Sequence, residues 1–311
     1  MSATIEFEGV RLTNPDRVLY PGQGITKRGL AGYYATVAER ILPAIRDRPL
    51  TLVRCPRGQD EACFVQRRAG DAVPDSVLRV ELPHRGEEPA SDDGEDEGPA
   101  VHLAVDSLQG LLGLVQIGVL ELHTWGARRD RLERPDRMVI DLDPDESLPF
   151  AAVTEAAIRV RDTLRGADLV PFVMTTGGKG LHVVVPLRRT VGWDVLKATA
   201  RALAERLEAE QPDRYLAKAS RTARAGKIYV DYLRNGYGST SVAAYSTRAR
   251  PGAPVATPIT WPELEAGVDP AEFDTATIPR RLDVQREDPW GEFRGSARSL
   301  SRAAREHLAR T

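Results

Sequence analysis

The chain has 311 residues, 41% of them apolar and 28% charged, with a formal net charge of −2; that is enough for a sizeable core and for more than one module. No run of about 18 apolar residues occurs, which argues against a membrane-spanning helix, and the start, MSATIEFEGV, has neither the basic nor the apolar region of a secretory signal. Cys55 and Cys63 are too few for a disulfide framework or a zinc site and suit unpaired, inert thiols in a reducing cytoplasm.

The predicted elements run in a simple order. LTNPDRVLYPG is turn-rich, with Asn-Pro and Pro-Gly pairs. Thr26 is a candidate N-cap for a helix over TKRGLAGYYATVAERILPAI, whose apolar spacing carries it to Pro43. PLTLVRCP reads as a strand ended by Pro56. Segment 85–99, RGEEPASDDGEDEGP, holds Glu87, Glu88, Asp92, Asp93, Glu95, Asp96 and Glu97 and reads as a disordered acidic loop. Without those seven acids the balance would be +5. Residues 101–126 contain a strand, a helix around SLQGLLGLVQIGVL, and ELHTWGA.

From 137 the pattern becomes regular. Strand 138–143 leads to a helix over FAAVTEAAIRVRDTLRG, closed by Gly166, then to strand VPFVMT, the turn TGGKG and strand LHVVVPL. A helix over WDVLKATARALAERLEAEQ ends before Pro212, and KIYVDYL is another strand. This β-α-β-β-α-β order predicts an α+β fold with a split-βαβ sheet. After 258 come a short helix near WPELEAG and a basic C-terminal helix, GSARSLSRAAREHLAR. The modules expected are 1–130, 131–260 and 261–311.

Candidate chemistry sits in the middle region. Strand side chains alternate faces, so Asp141 and Asp143 of VIDLDP share one face while Ile140 and Leu142 share the other. Two neighbouring carboxylates repel unless a cation lies between them, and magnesium or manganese suits all-oxygen ligands. Asp231, inside the apolar strand KIYVDYL, is costly to bury unless paired or bound to that metal. Three such carboxylates make a two-metal phosphoryl-transfer centre. In TTGGKG, Gly177, Gly178 and Gly180 free the backbone to form a phosphate-binding nest, with Lys179 adding charge and His182 following directly. His123 is a second histidine candidate. Between 214 and 250, Arg214, Lys218, Arg221, Arg224, Lys227, Arg234, Arg248 and Arg250 face one acid, Asp231.

Taken together, VIDLDP, TTGGKGLHVVVPL, LTNPDRVLYPGQGITK, LHTWGAR and GKIYVDYLRNGYGSTSVAAYSTRARPGAPVATPITWPEL resemble the polymerase domain of bacterial DNA ligase D, in the archaeo-eukaryotic primase superfamily. The resemblance covers roughly residues 5 to 290. It implies a primase-polymerase fold in which an RRM-like sheet packs with an N-terminal α/β module. The implied activity is template-dependent nucleotidyl transfer that fills gaps at broken DNA ends, with ribonucleotides preferred. Asp141, Asp143 and Asp231 would hold two ions, Mn2+ or Mg2+. Thr176 through Gly180, with His182, His123, Arg234, Arg248 and, more weakly, Arg54, would bind the nucleoside triphosphate. Asn14, Arg17 and Lys27 would recognise a DNA 5′-phosphate, and Phe64 would stack on a template base. Ku and a DNA ligase are the implied partners, at the nucleoid of a bacterial cytoplasm. Three positions depart from the family pattern: Thr176 where Ser is common, Arg17 where Lys is common, and Cys63 where a second aromatic often sits. A primase that starts chains, or a non-catalytic DNA-end-binding module, fits the same residues.

Overall fold

A computed structural model of the chain describes residues 3–70, 72–82, 100–219 and 222–310. The acidic loop 85–99 and Arg221 lie outside the described residues. The chain opens with hairpin β1 (Thr4–Phe7) and β2 (Val10–Thr13), then the pair β3 (Val18–Tyr20) and β4 (Ile25–Thr26). Helices α1 (Lys27–Thr36) and α2 (Ala38–Ile45) follow, then β5 (Leu50–Arg54), β6 (Phe64–Gln66), β7 (Leu78–Leu82), β8 (Ala100–Ala104), α3 (Leu108–Gln116) and β9 (Val119–Trp125). The second half contains β10 (Arg137–Pro144), α4 (Phe150–Gly166), β11 (Phe172–Thr175), β12 (Leu181–Pro186), α5 (Trp193–Glu210), β13 (Tyr215–Leu216), β14 (Ile228–Asp231), β15 (Thr240–Val242) and β16 (Pro258–Ile259). Helices α6 (Trp261–Glu265), α7 (Thr277–Val284) and α8 (Arg302–Ala309) end the chain.

Two large sheets carry the architecture. One has strand order β13-β14-β10-β12-β11-β16. Its inner four, β14-β10-β12-β11, are the expected split-βαβ arrangement, with β10 antiparallel to both neighbours. The other sheet has order β15-β9-β5-β8-β7, with β6 paired to β5. β15 lies between residues 131 and 260 yet hydrogen-bonds to β9, so the chain crosses from one sheet to the other just after Asp231. Asn235 secures that crossing. Its amide accepts from Val139 N at 2.8 Å and donates to Val139 O, standing in for a strand neighbour.

The sheets are held by ordinary patterning. Helix α4 buries Val153, Ala156, Ala157, Val160 and Leu164, and α5 buries Leu196, Ala200, Leu203 and Leu207. Both spacings make one apolar stripe, and both helices pack against β10. That accounts for the buried Ile140 and Leu142 and leaves the opposite, odd-numbered face for the carboxylates.

Local expectations need five corrections. Thr26 caps α1 as expected, accepting from Gly29 N at 3.1 Å, but the helix breaks at Val37 and resumes as α2 through Pro43. Burial of Ile41 and Ile45 outweighs the hydrogen bond that Pro43 cannot donate. Gly166 is the last residue of α4, while the left-handed residue that turns the chain is Asp168, with φ 58°. The C-terminal helix is shorter than expected, starting after its cap Ser301, and α7 is an element the apolar spacing did not suggest. Finally, Cys55 and Cys63 are joined by a disulfide and are not free thiols. The β5–β6 register explains it: Arg54 pairs with Phe64, so the next position inward sets Cys55 opposite Cys63, with Cα atoms 4.4 Å apart. The free-thiol argument for a reducing compartment is thereby removed. Among the described residues, no helix is long and apolar enough to cross a membrane.

Candidate active site

Strand register assembles the acids. Asp141 on β10 lies opposite His182 of β12 on one side and Asp231 of β14 on the other. The three residues therefore form a row across the sheet on one face, and period-two alternation adds Asp143 to it. Carboxylate oxygens of Asp141, Asp143 and Asp231 lie within 4.8 Å of one another.

Neighbouring nitrogen groups already offset part of this charge. Arg234 Nε is 3.1 Å from Asp141 Oδ2 and 3.3 Å from Asp231 Oδ2. His182 Nε2 is 3.3 Å from Asp141 Oδ1. Asp231 Oδ1 accepts from Leu233 N at 2.7 Å and from the Tyr229 hydroxyl at 3.3 Å. The three carboxyls differ in consequence. Burial would raise Asp141, but His182 and Arg234 outweigh burial and hold it at about 2. Burial and the Asp141 charge push Asp143 up to about 6. Burial also raises Asp231, against the pull of Arg234. One carboxyl of the cluster thus tends to keep its proton, as expected where fixed negative charges outnumber their partners. The donor set is all oxygen and suits a hard divalent ion. Asp141 Oδ1 is buried with only His182 Nε2 close by, at 3.3 Å and outside good hydrogen-bond geometry, so it could serve as a ligand atom for one.

The glycine turn faces the acids. A Cβ at Gly180 would lie 3.0 Å from Leu142 O and 3.5 Å from Asp143 Oδ1, so the backbone passes directly over the carboxylate strand. Gly177 has φ +71°, and a Cβ there would meet Arg248 Cγ at 2.6 Å. Thr176 closes the turn, its hydroxyl donating to Gly180 O at 3.1 Å. Arg248 Nη1 donates to Thr176 O, and Lys179 Nζ donates to Glu146 O.

Most of these groups line a cavity of about 740 Å³ between the two sheets; Asp231 stands behind its wall, against Asp141 and Arg234. Of the sequence candidates, His123, Asp141, Asp143, Thr176, Gly178, Lys179, Gly180, His182, Arg234 and Arg248 are on its wall. Gly177 is just behind it, against Arg248. Arg54 is not on the wall. Its guanidinium donates to Ile117 O at 3.0 Å and to Gln66 Oε1 at 2.8 Å, and sits 5.2 Å from the Phe64 ring centroid. Phe64 is 47% exposed beside exposed Val65, so this pair forms a second surface feature at the β5–β6 hairpin.

Asn14, Arg17 and Lys27 come together near that hairpin. Arg17 N donates to Asn14 O, and Lys27 N donates to Arg17 O. Arg17 is exposed, with Nη1 on Pro56 O. Lys27 is buried, contrary to a freely projecting phosphate ligand. Its ammonium donates to Thr13 O at 2.8 Å and Gln116 O at 2.9 Å. Burial and the Arg17 charge lower it to about 8.

Sequence reasoning missed Arg250, Ser241 and Val242 on the cavity wall, and Glu121 behind it. Arg250 was visible in the basic stretch. Glu121 was also within reach, since a carboxylate two positions before His123 in an apolar strand must share its face.

Comparison with known proteins agrees with this geometry. The sequence matches the family model described as LigD, primase-polymerase domain, over residues 26–290. It is 39% identical to the multifunctional non-homologous end joining protein LigD of Pseudomonas aeruginosa, covering 97% of this chain and 35% of that protein. It is 36% identical to the multifunctional non-homologous end joining DNA repair protein LigD of Mycobacterium tuberculosis, covering 84% of this chain and 34% of that protein. The solved polymerase domain of Mycobacterium tuberculosis Ligase D in complex with DNA superposes with a TM-score of 0.81 at 33% identity, covering 92% of this chain and 98% of that one. The chain spans about a third of the length of these curated relatives.

Proposed function

We propose a function from one premise: the chain belongs to the LigD primase-polymerase domain family, and so to a family of nucleotidyltransferases. On our reading it extends primer 3′ ends and fills gaps at DNA double-strand breaks, copying a template and favouring ribonucleotides. The observation that supports this most directly is the row of Asp141, Asp143 and Asp231 beneath the glycine turn.

Asp141, Asp143 and Asp231 would hold two divalent ions, Mn2+ or Mg2+, which when bound acidify the attacking hydroxyl and neutralise charge at the reacting phosphate. The protein's own part is positioning. The turn from Thr176 to Gly180 offers backbone N–H groups to phosphate oxygens, Lys179 and Arg248 supply positive charge around them, and His123 and His182 offer ring nitrogens as hydrogen-bonding groups. Arg234 bridges Asp141 and Asp231 and aligns their carboxylates. Asn14, Arg17 and Lys27 recognise the 5′-phosphate across a gap; Arg17 projects to it first, and the buried Lys27 reinforces its charge from below. Phe64, braced by Arg54, stacks on a template base. In this scheme residues 1–130 contact the DNA end, 131–260 carry catalysis, and 261–311 pack on the core. Ku and a DNA ligase are the proposed companions.

Gap filling tests the proposal. A gapped duplex with a 5′-phosphate is incubated with ribo- or deoxyribonucleoside triphosphates and manganese or magnesium. Incorporation that requires metal and template supports it, and faster ribonucleotide use supports the preference. Failure to incorporate any nucleotide, with DNA still bound, would leave an end-binding module instead. Synthesis on single strands without a primer would make it a primase.

A further inference from the structure

A buried acid stands behind the cationic wall of a cavity proposed to bind an anion. Glu121 is 6% exposed and does not line the cavity, whereas His123 and Arg248 do. Both of its oxygens are engaged. Oε2 is 2.8 Å from His123 Nε2 and 3.1 Å from Arg248 Nε, and Oε1 accepts from Ala249 N at 2.9 Å. Its strand cannot turn away, because β9 is hydrogen-bonded to β5 on one edge and β15 on the other. The partners are anchored separately as well. Arg248 O accepts from the Tyr20 hydroxyl at 2.9 Å, and Arg248 Nη1 reaches Thr176 O at the start of the glycine turn.

A negative charge here works against binding an anion through simple Coulomb attraction. It helps only through geometry, by holding the His123 ring and the Arg248 guanidinium where the phosphates arrive. We propose that Glu121 is a positioning residue of the nucleotide pocket, fixing His123 and Arg248 as one unit against the triphosphate. The inference rests on the polymerase reading above. Burial would raise the Glu121 carboxyl, but His123 and Arg248 outweigh it and hold the group at about 2, so it stays charged across the working range. In a neutral ring, the same contact directs the His123 hydrogen to Nε2.

The test uses Glu121→Gln, which keeps the shape and loses the charge, alongside Glu121→Ala. Binding of magnesium–ATP is measured by calorimetry on the full chain, and KM and kcat are measured in gap filling. We expect Kd and KM for nucleotide to rise about tenfold or more, the effect of losing a charge-assisted contact. kcat should stay within about threefold and DNA affinity unchanged. In an Arg248→Ala, His123→Ala background, Glu121→Gln should add almost nothing. Unchanged nucleotide affinity in Glu121→Gln, or a loss that adds fully in that background, overturns the inference alone. If the unaltered chain fails to bind the triphosphate, the polymerase reading fails first and the inference falls with it.

Discussion

Asp141 and Asp231 sit directly opposite each other in the β10–β14 register, and Arg234 lies within 3.3 Å of a carboxylate oxygen of each. Two antiparallel strands thus deliver acids that are 90 residues apart in sequence to one face, with a guanidinium between them. Asp143 completes the cluster without a cation of its own at ion-pair distance among the described residues. Asp143→Ala should therefore cut primer extension by at least about 10³-fold, since metal ions contribute several kcal/mol to such reactions. DNA affinity should be nearly unchanged. Primer extension and a gel-shift titration, run side by side, check both halves.

The same residue carries a stability signature of opposite sign. With its carboxyl at about 6, the folded metal-free chain binds more protons than the unfolded chain between the ordinary carboxylate range and that pH. Stability contributed at this position consequently falls as pH rises through that window. Asp143→Asn removes the cost, so it should melt higher than the unaltered protein at pH near 8, with the difference closing below about pH 4. Manganese affinity of the unaltered protein should weaken as pH drops below about 6, because proton and metal compete. Thermal melts in chelator, and metal titrations across that range, provide the measurements.

Away from the site, Asp136 is the hub of a buried ion network. Arg48 reaches it through two contacts of 2.7 Å, and Arg128 Nε lies at 3.2 Å. Burial would raise its carboxyl, but Arg48, Arg137 and Arg128 hold it well below the usual carboxylate range. Its contribution is therefore full at neutral pH and lost only in strong acid, as pH falls below the unfolded value. Asp136→Asn leaves Arg48 buried without a counter-charge and should cost roughly 3–5 kcal/mol. Denaturant unfolding at pH 7 measures that loss, which should shrink toward acid pH.

Phe64 and Arg17 offer cleaner probes of DNA contact than buried Lys27, because both are exposed. Phe64→Ala should weaken binding to template DNA by roughly 1–3 kcal/mol with little change in melting temperature. Arg17→Ala should reduce the preference for a 5′-phosphorylated gap over a 5′-hydroxyl gap by about tenfold, leaving binding to the hydroxyl form intact. Lys27→Ala should instead lower stability, since its ammonium ties Thr13 to Gln116. Fluorescence anisotropy with matched oligonucleotides separates these effects.

Periodicity in the sequence by itself determined that Asp141 and Asp143 share a face, that the β-α-β-β-α-β order forms a split sheet, and that a glycine turn precedes His182. Those are local consequences of backbone geometry. It did not determine that Asp231 and His182 flank Asp141, that Cys55 meets Cys63, that Lys27 is buried, that Arg54 belongs to Phe64, or that Glu121 braces His123 and Arg248. Each of these depends on strand register or on packing between two sheets, where contacts join residues as distant in sequence as Glu121 and Arg248. Local propensity carries no information about which distant backbone supplies the partner, so only the tertiary structure could decide them.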